Sequence, residues 1–356
     1  MKLSLFFFAL LLLFSIAMQN LTAQEKLCVQ CGKPVQGKYL IVEGKIYHPE
    51  HFLCDKCGKK INGSYTKEGN RFFHPECYTV QGDLICAECG KELEGEYYIS
   101  NGKKYHKECY NNSVLPKCAV CLEPLSGTYT IDAYGNKYHS SHNREMNKCS
   151  CCDRIISKNT TGGGNALADG RYICNICGAT SVYSQREIER TFNLTVQRLI
   201  SMGLNLELNR IKIKGVDVNG MMRYADNYSP GMQGYCSSET EKEYVNDKLK
   251  RTTTSHTIYV LNGLPSILLE SVIAHELMHA WLYDTTPNRH SSNITEGSCN
   301  YISYLYLLEN KVSQSGDFIR KLENNPDPVY GGGFRDIKKR FSGRPLRELL
   351  EYLKKG

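Results

Sequence analysis

At 356 residues, with 41% hydrophobic side chains, the chain has room for two or three structural units rather than one small domain. Its 44 Lys and Arg against 37 Asp and Glu leave a formal charge of +7, which taken alone suits a nucleic-acid partner. Cysteine chemistry argues against that partner, because five Zn²⁺ ions on fourteen thiolates would bring the charge to about +3.

The chain opens MKLSLFFFALLLLFSIAMQNLTAQE. Lys2, the apolar run 3–17 and the small residue Ala23 read as a secretory signal over residues 1–23, cut before Gln24. An uncleaved anchor is the alternative, but a mostly apolar run of fifteen residues falls short of the roughly 20 that span a bilayer. No later stretch is long and apolar enough to cross a membrane, so the expected destination is export, to a periplasm or the extracellular space.

Fifteen of the seventeen cysteines fall between Cys28 and Cys177. They belong to a unit that recurs five times, a C-x2-C pair followed by a second pair of His or Cys. The first set is Cys28, Cys31, His48 and His51; the second is Cys54, Cys57, His74 and Cys77. The third is Cys86, Cys89, His106 and Cys109, the fourth Cys118, Cys121, His139 and His142, and the fifth Cys149, Cys152, Cys174 and Cys177. Each set supplies the four donors that tetrahedral zinc requires, and only Cys151 is left over. A disulfide framework is the alternative that export would permit, but it has no use for six histidines at these positions. The Gly-broken alternation between the pairs predicts short β-hairpins, too small to fold without a metal staple.

Only two residues separate His51 from Cys54, so two zinc sites abut, and this region resembles a LIM domain, assigned here to residues 24–80. The resemblance implies a protein-binding role. Residues 81–178 are then three LIM-like zinc modules, and no element there fits a DNA groove as a recognition helix does.

From about Ala179 the pattern becomes helical. SQREIERTFNLTVQRLISMGL aligns Ile188, Phe192, Val196, Leu199 and Ile200 on one face of a helix ending near Gly203. NLELNRIKIKGVDV and SHTIYVLNGLP read as strands, and Pro265 stands where a helix can begin. That helix carries AHELMHAWL, with His275 and His279 one turn apart on one side and Glu276 beside them. The spacing suits two imidazoles on one ion, with Glu276 as general base.

A second helical stretch, NITEGSCNYISYLYLLEN, offers Glu296 either as third ligand or as a charge on the helix's first turn. Asn300, one turn on, could hold a ligand histidine in its tautomer. His290, Tyr330 and Arg335 are candidates to stabilise an oxyanion. Cys236 and Cys299 could pair in an oxidising compartment. Trp281, Tyr301, Tyr304 and Tyr306 read as packing residues.

With LNGLPSILLESVIAHELMHAWL, TEGSCNY, DPVYGGGFR and the KCSCCDR to YICNICG knuckles in view, the chain resembles the DA-one family of plant LIM-domain, ubiquitin-activated zinc peptidases that limit organ growth. The resemblance implies a gluzincin-like metallopeptidase domain over residues 179–356. His275, His279 and Glu296 would bind a catalytic zinc beside about five structural ones, and Glu276 would act as general base. The segment ahead of the LIM region reads as an export signal where ubiquitin-interacting helices would stand in the family. The expected fold class is α+β: an array of zinc-stapled hairpins, then a mainly helical zincin-type domain with a small sheet. The expected function is hydrolysis of peptide bonds in a protein or peptide substrate, with the LIM-like modules binding protein and not nucleic acid. A catalytically inert LIM-type scaffold is the competing reading.

Overall fold

The structure, a computed structural model, describes residues 26–78, 84–286 and 290–355. The expected signal at 1–23 lies outside them. Among the described residues no helix is long and apolar enough to cross a membrane.

Two compact units divide after Tyr110. The first holds three antiparallel hairpins: Leu40–Val42 with Lys45–Tyr47 (β1, β2), Thr66–Glu68 with Arg71–Phe73 (β3, β4), and Tyr98–Ser100 with Lys103–Tyr105 (β5, β6). Its first two Cys/His sets share one small core, in which Phe52, lying between the two donor sets, meets the rings of Tyr47, Tyr65 and Phe72. So few buried side chains cannot hold such a unit together alone, which is why metal staples are needed.

Each C-x2-C knuckle closes the same way. The backbone N–H of its first cysteine reaches the carbonyl five residues on, from Cys28 to Lys33 through to Cys149 to Arg154. The residue after each second cysteine adopts a left-handed φ: Gly32, Gly58 and Gly90, then Leu122 and Asp153. Glycine takes that φ freely, whereas Leu122 and Asp153 are held there by the knuckle.

The second unit begins at Asn111 and carries the fourth and fifth sets. Their hairpins are Tyr129–Ile131 with Lys137–His139 (β7, β8) and Gly164–Ala166 with Tyr172–Cys174 (β9, β10). All five cysteines from Cys149 to Cys177 lie in the same hydrophobic core as the helices that follow, so the fifth set is built into this body.

Helix α1 (Gln185–Met202) starts at a capping box of Ser184 and Glu187 and stops at Gly203, whose φ of 103° ends it. Ile188, Phe192, Val196 and Leu199 are buried as the spacing predicts, but Ile200 faces solvent, because one residue past Leu199 rotates it about 100° off the stripe. A three-stranded sheet follows in the order Ile211–Val216 (β12), Lys248–Leu261 (β14), Gly234–Val245 (β13), after a short pairing strand Ser181–Val182 (β11). β12 runs parallel to β14, and β13 antiparallel to it. The sequence predicts neither β13 nor the outer half of β14. Their hairpin closes on Asn246 and Asp247, both at positive φ, in a two-residue turn suited to these residue types.

Leu264–Pro265 (β15) pairs with β11, so Pro265 serves as the last extended residue before the long helix α3 (Ser266–Thr285), where α2 denotes Val218–Tyr224. α3 is apolar nearly all round and mostly buried, as a core helix must be. It lies against α4 (Ser292–Glu309), which is tied to it by Ser303 Oγ donating to the Ser271 carbonyl and by Tyr306 Oη donating to Glu270. Trp281, Tyr301 and Tyr306 are buried around this contact. Helices α5 (Ser315–Glu323), α6 (Gly333–Phe341) and α7 (Leu346–Lys355) complete the body.

Candidate metal centre

His275 and His279 are placed on α3 by their i, i+4 spacing, and Glu296 by the first turns of α4. The Nε2 atoms of the two imidazoles stand 3.2 Å apart, and Glu296 Oε2 lies 3.3 Å from one and 3.5 Å from the other. Zinc with ligand bonds of about 2.0–2.1 Å in a tetrahedron separates its donors by roughly 3.3–3.4 Å, so the triangle has the size of one face of that tetrahedron. Glu296 Oε2 is also buried with no hydrogen-bond partner. A cation between the three donors accounts for both observations, and the donor set fits zinc.

The surroundings keep Glu296 charged. Burial pushes its carboxyl up, but His275 and His279 outweigh burial and hold it well below the usual carboxylate range. Glu276 is different. It is 5% exposed, and burial, countered by the imidazoles and reinforced by Glu296, raises its pKa above that of an ordinary glutamate. A carboxyl tuned upward beside this donor triangle is suited to take and return a proton.

The edge strand β13 comes close to this carboxylate. A Cβ on Gly234 would lie 2.6 Å from Glu276 Oε1, so only glycine lets the strand approach there. The metal triangle, Glu276, Tyr235, Cys236 and Tyr330 all line one cavity of about 900 Å³. The long strand β14, which ends just before β15 and the helix, sits at the centre of the sheet, and β13, unrecognised in the sequence, forms one of its two edges among the described residues.

Several sequence assignments change here. Asn300 does not face a ligand imidazole: its Nδ2 donates to the Tyr330 carbonyl at 3.0 Å. Next to His279 lies the buried Cys299, whose thiol burial raises to about 11 and so keeps neutral. Cys236 and Cys299 are both free thiols, so the disulfide between them is not formed. His290 also lines the cavity but is engaged with the Leu353 carbonyl, and Arg335 is engaged with the carbonyls of Glu323 and Asn325, leaving Tyr330 as the candidate.

DPVYGGGFR is a device for presenting that tyrosine. Asp327 Oδ1 accepts the N–H groups of Val329 and Tyr330 at 2.8 Å, while the Asp327 carbonyl accepts those of Gly331 and Gly332 at 2.9 Å. Gly331 and Gly333 then press backbone to backbone on Asn325 and Asn293, where any Cβ would collide with a main-chain carbonyl.

The five Cys/His sets each gather their donor atoms within 4.8 Å, and these clusters are zinc-binding modules. His74, His106 and His139 each face a cluster cysteine sulfur through Nδ1, at 3.4 Å, and a backbone carbonyl through Nε2. That carbonyl fixes the tautomer and leaves Nδ1 free to ligate. In the fourth set, His142 Nε2 is buried without a hydrogen-bond partner while Nδ1 faces Glu145. The first cysteines are primed as thiolates: burial raises Cys54, Cys86 and Cys118, but backbone amides turned onto the sulfur outweigh it and bring each to about 6.

Residues 229–318 match the family model described as DA1-like (Protein DA1), and residues 28–79 match that of the LIM domain. The chain is similar to Protein DA1 of Arabidopsis thaliana, with 25% identity over 271 residues, 61% of this chain and 50% of that protein. It is also similar to LIM domain-containing protein HDR3 of Oryza sativa subsp. japonica, 27% identical over 283 residues, 62% of this chain and 56% of the relative. Protein DA1-related 1 of Arabidopsis thaliana is 23% identical over 276 residues, 61% of this chain and 49% of its own. The chain therefore spans about half the length of the curated relatives it matches.

Proposed function

We propose that the chain is a zinc-dependent peptidase of the gluzincin type, akin to the DA1-like proteins, whose LIM and LIM-like modules bind protein. The observation that carries this reading is the convergence of His275, His279 and Glu296 at 3.2–3.5 Å in a cavity that also holds the buried carboxyl of Glu276. His275, His279 and Glu296 would hold the zinc, whose Lewis acidity would be available to a peptide carbonyl and a water in the cavity. Glu276 takes the proton from the attacking water and delivers it to the departing amine, two tasks that its raised pKa serves. Tyr330, held by Asp327 and Asn300, donates its hydroxyl to the carbonyl oxygen as negative charge develops there. The free edge of β13 offers backbone donors and acceptors to an extended substrate.

Residues 1–23 act in this reading as an export signal, so the chain works outside the cytoplasm; the N-terminal residue of protein recovered from its source cells tests this, with Gln24 expected. Incubation of the full chain with a peptide library, beside its Glu276→Gln counterpart, tests the chemistry. Cleavage by the first and not the second supports the peptidase. Cleavage by neither leaves a protein-binding scaffold.

A further inference from the structure

The fourth and fifth Cys/His modules are fastened to α5 by a row of polar ties. Arg154 Nη2 donates to Asp317 at 2.8 Å, Arg320 Nη1 to the Ala133 carbonyl at 2.5 Å, and Lys321 Nζ pairs with Asp153 at 2.8 Å. The guanidinium of Arg154 also lies 3.5 Å over the ring of Tyr134. Between these modules and α5 runs a second cavity of about 690 Å³, lined by Ile131, Asp132, Tyr138, Lys148, Arg320 and Asn324 among others.

This cavity continues from the metal site. Asp153, Lys321 and Asn325 line both, and Asn325 is the residue on which the Tyr330 loop rests. One wall is formed by β7, which pairs only with β8 among the described residues and so keeps an edge of unpaired backbone groups. Beside that edge Ile131 is 57% exposed. Asp317 in the wall is shared by Arg154 and Arg320, and Asp153 pairs with Lys321. An extended backbone finds there an open strand edge and an apolar side chain.

We propose that this second cavity is a subsite for the polypeptide substrate, and that the fourth zinc module is a wall of the substrate cleft. Residues of the substrate remote from the cleaved bond lie along β7, and binding energy gained there favours long, unfolded chains over short peptides. This rests on the peptidase reading of the adjoining site.

The test uses the full chain and two probes, reduced carboxymethylated α-lactalbumin and fluorescent hexapeptides cut from it. Ile131→Trp and Asn324→Trp fill the cavity from opposite walls. Each is expected to lower the long-to-short ratio of kcat/KM by about tenfold. In the Glu276→Gln background, anisotropy should show the same loss in affinity for the long probe. Cleavage with an unchanged ratio in both variants overturns the subsite and leaves the peptidase standing. Absent cleavage by the parent chain, with long-probe binding still lost in both variants, overturns the peptidase and supports the groove. Neither cleavage nor binding by the parent chain overturns both.

Discussion

Gly297 on α4 and Gly333 at the start of α6 meet main chain to main chain, so closely that a Cβ on Gly297 would overlap the Gly333 carbonyl. Gly297 is the immediate neighbour of Glu296, and Gly333 closes the loop that presents Tyr330. The contact thus sets the distance between Glu296, the proposed metal donor, and the tyrosine. Gly297→Ala is expected to cost about 1–3 kcal/mol in stability, since backbone cannot yield as a side chain can. Peptidase activity should fall further than stability does. Thermal unfolding together with kcat/KM measures both, and an alanine variant with parental values would refute the role.

Tyr330→Phe removes one hydroxyl and leaves the ring, the Asp327 cap and the Asn300 bond in place. Losing one oxyanion donor should lower kcat by about 10²–10³, with zinc content unchanged. A variant with the parent's kcat would return Tyr330 to a packing role.

Glu276→Gln keeps the shape of the buried side chain and removes its basicity. The variant should fold and bind zinc as the parent does and lose about 10²–10⁴ in kcat. Circular dichroism, metal analysis and single-turnover kinetics separate these effects. Loss of fold or zinc would mean that the carboxylate serves structure.

Asp169 ties the fifth module to the turn before α3: it pairs with Arg171 at 2.8 Å, and Arg171 donates to the Asn262 carbonyl at 2.6 Å. Burial raises the Asp169 pKa, but Arg171 and two backbone amides outweigh it and hold it below the ordinary aspartate value. A depressed folded-state pKa contributes stability that is present above the unfolded value, about 3.9, and is lost as pH falls through the folded value. Asp169→Asn should therefore destabilise the second unit by about 2 kcal/mol at pH 7, with the gap to the parent closing as pH drops below that value. Parallel stability curves across that window would contradict the pairing.

Chelation should act unevenly along the chain. The first unit, with its small shared core, is expected to lose its structure when zinc is removed, and hydrogen exchange across β1 to β6 should rise to the rate of an open chain. α1 and α4, which lie in a large core, should retain more protection. Uniform protection after complete zinc removal would show that metal does not staple the hairpins.

Much of this was legible because ligation chemistry leaves a local record. The five donor sets, His275, His279, Glu276 and Glu296 all announce themselves by residue type and spacing, and the structure gathers each set. What spacing could not convey depended on contacts between distant segments. Asn300 lies one turn from Glu296 and yet serves the Tyr330 loop, because α4 meets that loop on the same side. Cys299, which the sequence leaves open to pairing with Cys236, is the neighbour of His279. The β13–β14 hairpin was hidden by its polar, solvent-facing outer half, although the Asn246-Asp247 turn was a usable signal. The glycines of the Tyr330 loop are points of close approach, which only the contacts with Asn325 and Asn293 reveal.

The central claim is that His275, His279 and Glu296 together hold one zinc ion beyond those of the Cys/His modules. Native mass spectrometry of the full chain beside His275→Ala/His279→Ala counts zinc directly. The expected result is one zinc fewer in the variant, with the remaining ions and the fold retained. An identical zinc count in the two proteins would contradict it.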